Sequence, residues 1–267
     1  MRTSNPALRA FATPQTWDQF TSGAGARSAG AVDAVPRTMT VRGTAVKLGI
    51  MIALAAVSAV FAWGYITQPG NQDSGLTIGI GALLGGLVLG LVITVAPRTA
   101  PYLGPVYAVV EGGVLALFSY IITTRAMGTP DTGMVFQAIG LTFALAGGLA
   151  IAYGAGLVRV GATATKVIVV AGSGLCLYVV ALLLCNGVFG MNLPNLYTSA
   201  SPLGIGFTVV CLILGSLFLV LDFQFVEAGV AQGAPKHMEW YGAFGILVTL
   251  VWLYIEVLRL ISKLRSE

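Results

Sequence analysis

Three carboxylates interrupt long apolar runs, and the chemistry open to this chain starts with them. Glu111 lies in Val109-Val-Glu-Gly-Gly113, Asp222 in Leu219-Val-Leu-Asp-Phe-Gln-Phe225 and Glu256 in Trp252-Leu-Tyr-Ile-Glu-Val-Leu-Arg-Leu260. An acid at the centre of a lipid-spanning helix costs about 2.5–3.5 kcal/mol by insertion scales, so each needs a partner, a water-filled cavity or a proton. Asp222 is the foremost candidate for ion handling or gating. Gln224 and Glu227 keep that end of its helix polar and lead into a charged loop, so water can reach it. Ionised, it is a hard oxygen ligand suited to Ca²⁺; the alternative is a carboxylate hydrated at a helix end. Glu111 is flanked by Gly112 and Gly113, which offer it no side-chain partner but let another helix approach. Structural and functional readings of Glu111 both stand. Glu256 has Arg259 three residues on, on one helix face, which favours an ion pair over ion handling.

The remaining reactive residues offer less. His237 is the only histidine, in the loop Gly233-Ala-Pro-Lys-His-Met-Glu239; alone it cannot build a metal site. It reads as a solvated loop residue, with pH tuning of a nearby carboxylate as the alternative. Cys176, Cys185 and Cys211 sit in apolar runs without metal or redox spacing and read as small core residues. No Ser/His/Asp set, phosphate-binding glycine loop or zinc motif occurs, so an enzyme is not expected. Nor is a bound cofactor, Ca²⁺ entering only as a transported ion.

The elements that must position these acids are membrane helices. Of 267 residues, 57% are hydrophobic and 9% charged, with a mean hydropathy of +0.89; a soluble domain carries about 25% charged residues. Seven stretches reach the roughly 20 apolar residues a span requires: about 48–66, 76–96, 102–122, 134–154, 167–188, 203–225 and 240–262. Helix breakers such as Gln68-Pro69-Gly70-Asn71, Thr129-Pro130-Asp131 and Asn192-Leu193-Pro194-Asn195 separate them. The reading is all-α: a seven-helix membrane domain over 47–267 behind a mobile tail over 1–46, which is polar, holds five arginines and has only Asp18 and Asp33 as acids. No secretory signal with a cleavage site is expected in it. In the second span Gly81/Gly85 and Gly86/Gly90, four apart, predict close packing within the bundle.

The net charge of +4 is explained by orientation rather than by nucleic acid. With the tail cytoplasmic, ten Lys and Arg fall on that side and only Arg125, Arg259, Lys263 and Arg265 on the other. The N-terminus is therefore expected inside. The partners implied are the lipid bilayer and, through the basic tail and the glycine-rich second span, other membrane proteins.

From Leu219 onward, Leu-Val-Leu-Asp-Phe-Gln-Phe-Val-Glu and then Gly233-Ala-Pro-Lys-His-Met-Glu-Trp-Tyr-Gly242 through Glu256-Val-Leu-Arg-Leu260 resemble the bacterial Bax inhibitor-1/YccA-like family. The likeness extends to Arg2-Thr-Ser-Asn-Pro6, Met39-Thr-Val41 and Pro105-Val-Tyr-Ala-Val-Val-Glu-Gly112. It implies a seven-helix bundle whose last helix is central between two three-helix groups, in a bacterial cytoplasmic membrane. It also implies a pH-sensitive Ca²⁺ leak gated by two aspartates on the last two helices, which share a proton near an arginine, or else modulation of a membrane-bound protease. By position the first aspartate falls on Asp222, the arginine on Arg98 and the second aspartate on Thr249. A threonine cannot share a proton as a carboxylate does. Glu256, two turns beyond Thr249, and Glu111, at a similar depth, are the conceivable substitutes, with Asp222 and Glu111 the expected pair.

Overall fold

The computed structural model describes residues 38–191 and 195–265. The tail reading and the turn at 192–194 fall outside the described residues, except for the stretch from Thr38.

Seven helices among the described residues are long and apolar enough to cross a membrane. They are α1 (Val41–Ile66), α2 (Gln72–Val95), α3 (Ala100–Met127), α4 (Thr132–Gly154), α5 (Ala162–Leu183), α6 (Pro202–Ala231) and α7 (Met238–Arg265). A 3-10 turn, Pro97–Thr99, leads into α3, and a π turn, Leu184–Val188, ends α5. Local chemistry sets the ends. Thr40, Asp131 and Ser201 accept backbone N–H groups of the first turns of α1, α4 and α6, and such caps satisfy donors a helix leaves unpaired. Gly128, at φ +75°, closes α3 in the left-handed conformation that glycine tolerates.

Most helices outrun the apolar stretches that announce them at one end or both, because hydropathy registers only the lipid-facing part while polar turns continue the helix; α5 instead ends at Leu183, short of 188. α1 begins at Val41 instead of 48, and α6 reaches Ala231 instead of 225. Gln224 and Glu227 are therefore helical, and Asp222 lies nine residues, about 14 Å, inside the helix end rather than near it.

α7 is the core of the bundle. The apolar window of α7 is 61% buried, against 11% for α1 and 12% for α5. Each of the three apolar clusters includes it. Phe244, Leu247 and Val251 pack with Met51, Ile93 and Tyr107 of the first three helices; Tyr254, Leu258 and Ile261 pack with Met134 and Ala138 of α4; Ile246 and Leu253 pack with Leu219 and Val226 of α6. α1–α3 pack together on one side and α4–α6 on the other. Large side chains such as Val60, Phe61, Leu87 and Leu177 point outward, as the lipid-facing surface of a membrane bundle requires.

Two packing expectations change. A Cβ at Gly86 or Gly90 would meet Glu111, Val110, Tyr107 or Phe244, but Gly81 and Gly85 face open space, since they lie on the opposite side of α2. Helix backbones meet closely at Gly112, where a Cβ would stand 2.4 Å from the Ala55 carbonyl and 2.7 Å from the Ala59 nitrogen of α1. Of the cysteines only Cys211 is buried; Cys185 is partly covered and Cys176 is exposed in a cavity it lines with Phe218 and Trp252, so the core reading holds for one of the three.

Candidate functional site

Asp222 meets Thr249. The Thr249 hydroxyl donates to Asp222 Oδ2 at 2.6 Å, and it also lies 3.3 Å from the Gly245 carbonyl one turn earlier. Gly245 keeps the space clear, since a Cβ there would stand 3.5 Å from Asp222 Oδ1. Thr249 is eleven residues, about 16 Å, into α7. The contact thus joins α6 to the central helix at mid-depth, between residues 27 apart in sequence.

Glu111 lies at a similar depth in α3, eleven residues or about 16 Å from its start, and is buried. Tyr107 lies one turn earlier on the same face of α3, and a Cβ on Gly86 of α2 would stand 3.5 Å from Glu111 Oε2. Tyr107 in turn packs edge-on against Phe244 of α7, ring centroids 4.9 Å apart. Phe244 and Thr249 are five residues apart, about 140° round the helix. Glu111 and Asp222 therefore approach α7 from different faces, and no hydrogen bond or ion pair joins them among the described residues. Among the described residues the hydrogen bond of Asp222 is to Thr249 rather than to Glu111.

Glu256 is buried, and its Oε1 accepts from Arg259 Nη1 at 3.1 Å and Trp252 Nε1 at 3.2 Å. Its other oxygen, Oε2, has no hydrogen-bond partner among the described residues. Arg259 also lies 4.2 Å above the Tyr197 ring. This is the ion-pair geometry, two turns from Thr249. Arg98 is exposed in the 3-10 turn before α3, and no hydrogen bond or ion pair joins it to Asp222 among the described residues. His237 is half-buried at the start of α7, where its carbonyl accepts from Trp240 N at 3.1 Å. Among the described residues no three His, Cys, Asp or Glu side chains gather as metal ligands, so Asp222 offers a passing cation one carboxylate beside one hydroxyl.

One polar cluster has no signal in the sequence. Glu239, fully buried, is bound by the Lys47 ammonium and receives the Thr40 N–H at 2.9 Å and the Thr40 hydroxyl at 2.8 Å. Met39 N donates to the Ala234 carbonyl at 2.7 Å beside it. The start of α1 is thereby clasped to the α6–α7 loop across about 200 residues of chain, at the end of the bundle nearer Asp222. Nothing local in Lys47 or Glu239 marks them as partners.

A family model described as Bax inhibitor 1 like matches residues 5–266, nearly the whole chain. The chain belongs to that family. No curated protein and no solved structure matches it. Within a Bax inhibitor 1 like bundle, the Asp222–Thr249 contact is a polar link between the sixth helix and the central seventh that places a carboxylate at mid-depth, whereas Lys263 meets Gly204 and Thr208 near the far end of α7. It is therefore the candidate site.

Proposed function

We propose that this Bax inhibitor 1 like protein is a pH-sensitive cation leak channel, with Ca²⁺ as the transported ion and the Asp222–Thr249 contact as its gate. The observation supporting this is the 2.6 Å hydrogen bond between α6 and the central helix at mid-depth. A hydrogen-bonded carboxylate there can hold two helices together, and on release it supplies the negative charge that draws a cation through a low-dielectric interior. The family resemblance points to two acids sharing a proton at these positions. Here a hydroxyl stands in for one of them, so a single titrating group governs the contact. The excess of Lys and Arg on the tail side supports a cytoplasmic N-terminus in a bacterial cytoplasmic membrane.

Ca²⁺ flux from liposomes carrying the purified chain tests this directly. Flux is expected to differ between pH 6 and pH 8, and the difference to vanish in Asp222→Asn. Equal flux at both pH values, unaltered by Asp222→Asn, overturns the gate; flux no greater than from empty liposomes overturns conduction.

One observation favours a second reading, regulation of a membrane protease or another membrane partner. Gly81 and Gly85 of α2 face outward with nothing packed on them, a surface that admits close approach of another helix. Loss of partner capture on Gly81→Ile, or on deletion of residues 1–40, with flux unchanged selects this reading.

A further inference from the structure

Between the two three-helix groups, at the end of the bundle where α7 finishes, lies a cavity of about 770 Å³. Its principal walls are α3, α5 and α7, which run the same way through the bundle because successive helices alternate in direction. Each wall carries an apolar lining residue followed seven positions later by a polar one: Phe118 and Arg125 on α3, Val179 and Asn186 on α5 and its π turn, Trp252 and Arg259 on α7. Seven residues are two turns, so each pair shares a face, about 10 Å apart along the axis. The cavity is thus sorted by depth, polar where the helices end and apolar towards the middle of the bundle.

Charge at the polar end is one-sided. Arg125, Arg259 and Lys263 line it against a single acid, Glu256. That acid is already engaged by Arg259 and Trp252. Lys263 Nζ is held by the Leu196 and Gly204 carbonyls at 2.9 and 2.8 Å and by the Thr208 hydroxyl at 2.9 Å, so its charge is fixed in place. Arg125 is exposed, and no hydrogen bond or ion pair holds it among the described residues. α5 packs on α6, with no comparable packing onto α3, which leaves the cavity open sideways to the bilayer.

We propose that this cavity binds an anionic phospholipid, with its phosphate between Arg125 and Arg259 and one acyl chain lying towards Phe118, Val179 and Trp252. A guanidinium matches phosphate geometry with two parallel hydrogen bonds, and the polar-to-apolar order repeats that of a lipid from headgroup to chain. A soluble anion would satisfy the arginines and leave the apolar arm unfilled, so the amphiphile is the better fit. This site is separate from the proposed gate, because Glu256 stands two turns beyond Thr249.

Native mass spectrometry of the full chain in mild detergent, titrated with phosphatidylglycerol or phosphatidylcholine of identical chains, tests the assignment. Retention of phosphatidylglycerol is expected to exceed that of phosphatidylcholine by about tenfold, because both present a phosphate but the choline cation is repelled by Arg125, Arg259 and Lys263. Arg125→Ala should remove the preference and Arg125→Lys keep most of it. Ile122 also lines the cavity, between Phe118 and Arg125 on α3, and Ile122→Trp, which narrows the way to the apolar arm, should weaken retention with the arginines intact. Arg125 is exposed, so an unchanged thermal midpoint accompanies the expected result. Equal retention of the two lipids, or a preference that survives Arg125→Ala, overturns the proposal. Displacement of the lipid by equimolar glycerol 3-phosphate also overturns it and identifies a soluble-anion site.

Discussion

At the residue scale, a hydroxyl and a carboxylate make a contact that differs in kind from two carboxylates. Two acids at this separation would share one proton and titrate as a pair, whereas the Thr249 hydroxyl donates to Asp222 and does not titrate. Thr249→Val keeps the shape of the side chain and removes the donor, leaving a polar atom of Asp222 without its hydrogen bond inside the bundle. The expected loss is about 1–3 kcal/mol, read as a lower thermal midpoint in detergent, with Thr249→Ser close to the parent. Thr249→Asp restores a second acid, and a pH response of flux that shifts and broadens relative to the parent is the expected outcome in liposomes. An identical pH profile for parent and Thr249→Asp would place the gate elsewhere.

At the scale of helices, small residues act only where a neighbour presses on them. Gly112 has the α1 backbone against it, and backbone cannot move aside as a side-chain tip can. Gly112→Ala is expected to destabilise by about 1–3 kcal/mol through forced separation of α1 and α3. That separation should also weaken the 2.6 Å hydrogen bond from the Ser58 hydroxyl to the Val109 carbonyl beside it. Gly81→Ala and Gly85→Ala meet nothing and should be neutral or stabilising by up to about 1 kcal/mol, the helix-propensity gain of alanine over glycine. Thermal unfolding of the three variants side by side is the measurement, and equal effects would contradict the packing described.

Across the whole molecule, the clasp of Thr40 and Lys47 on Glu239 ties the first helix to the last and covers the end of the bundle nearer Asp222. A buried ion pair contributes little relative to an apolar replacement of both partners, but breaking it from one side leaves a charge stranded. Lys47→Met should therefore cost about 3–5 kcal/mol, while Lys47→Met combined with Glu239→Gln should recover much of that. Hydrogen exchange at Met39, whose N–H donates to the Ala234 carbonyl, is expected to accelerate in the single variant and return towards the parent rate in the double. No acceleration would show that the loop is held by other contacts.

Run length and composition were enough to establish seven membrane helices, because a bilayer admits only segments that are apolar over its thickness and satisfy their own backbone. The residues from Leu219 onward carried the family likeness, now shown over residues 5–266, and Arg259, one turn past Glu256, was readable as its partner because a helix fixes the spacing of its own residues. Spacing within one helix says nothing about rotation of one helix against another, and there tertiary structure decided. It set Thr249 against Asp222, brought Glu111 up to Gly86 of α2, sent Gly81 and Gly85 outward, and joined Lys47 to Glu239. It also showed α6 continuing to Ala231, since a capped polar turn can extend a helix that hydropathy ends. The acids were legible as exceptions to an apolar rule, but their partners came only from how the helices pack.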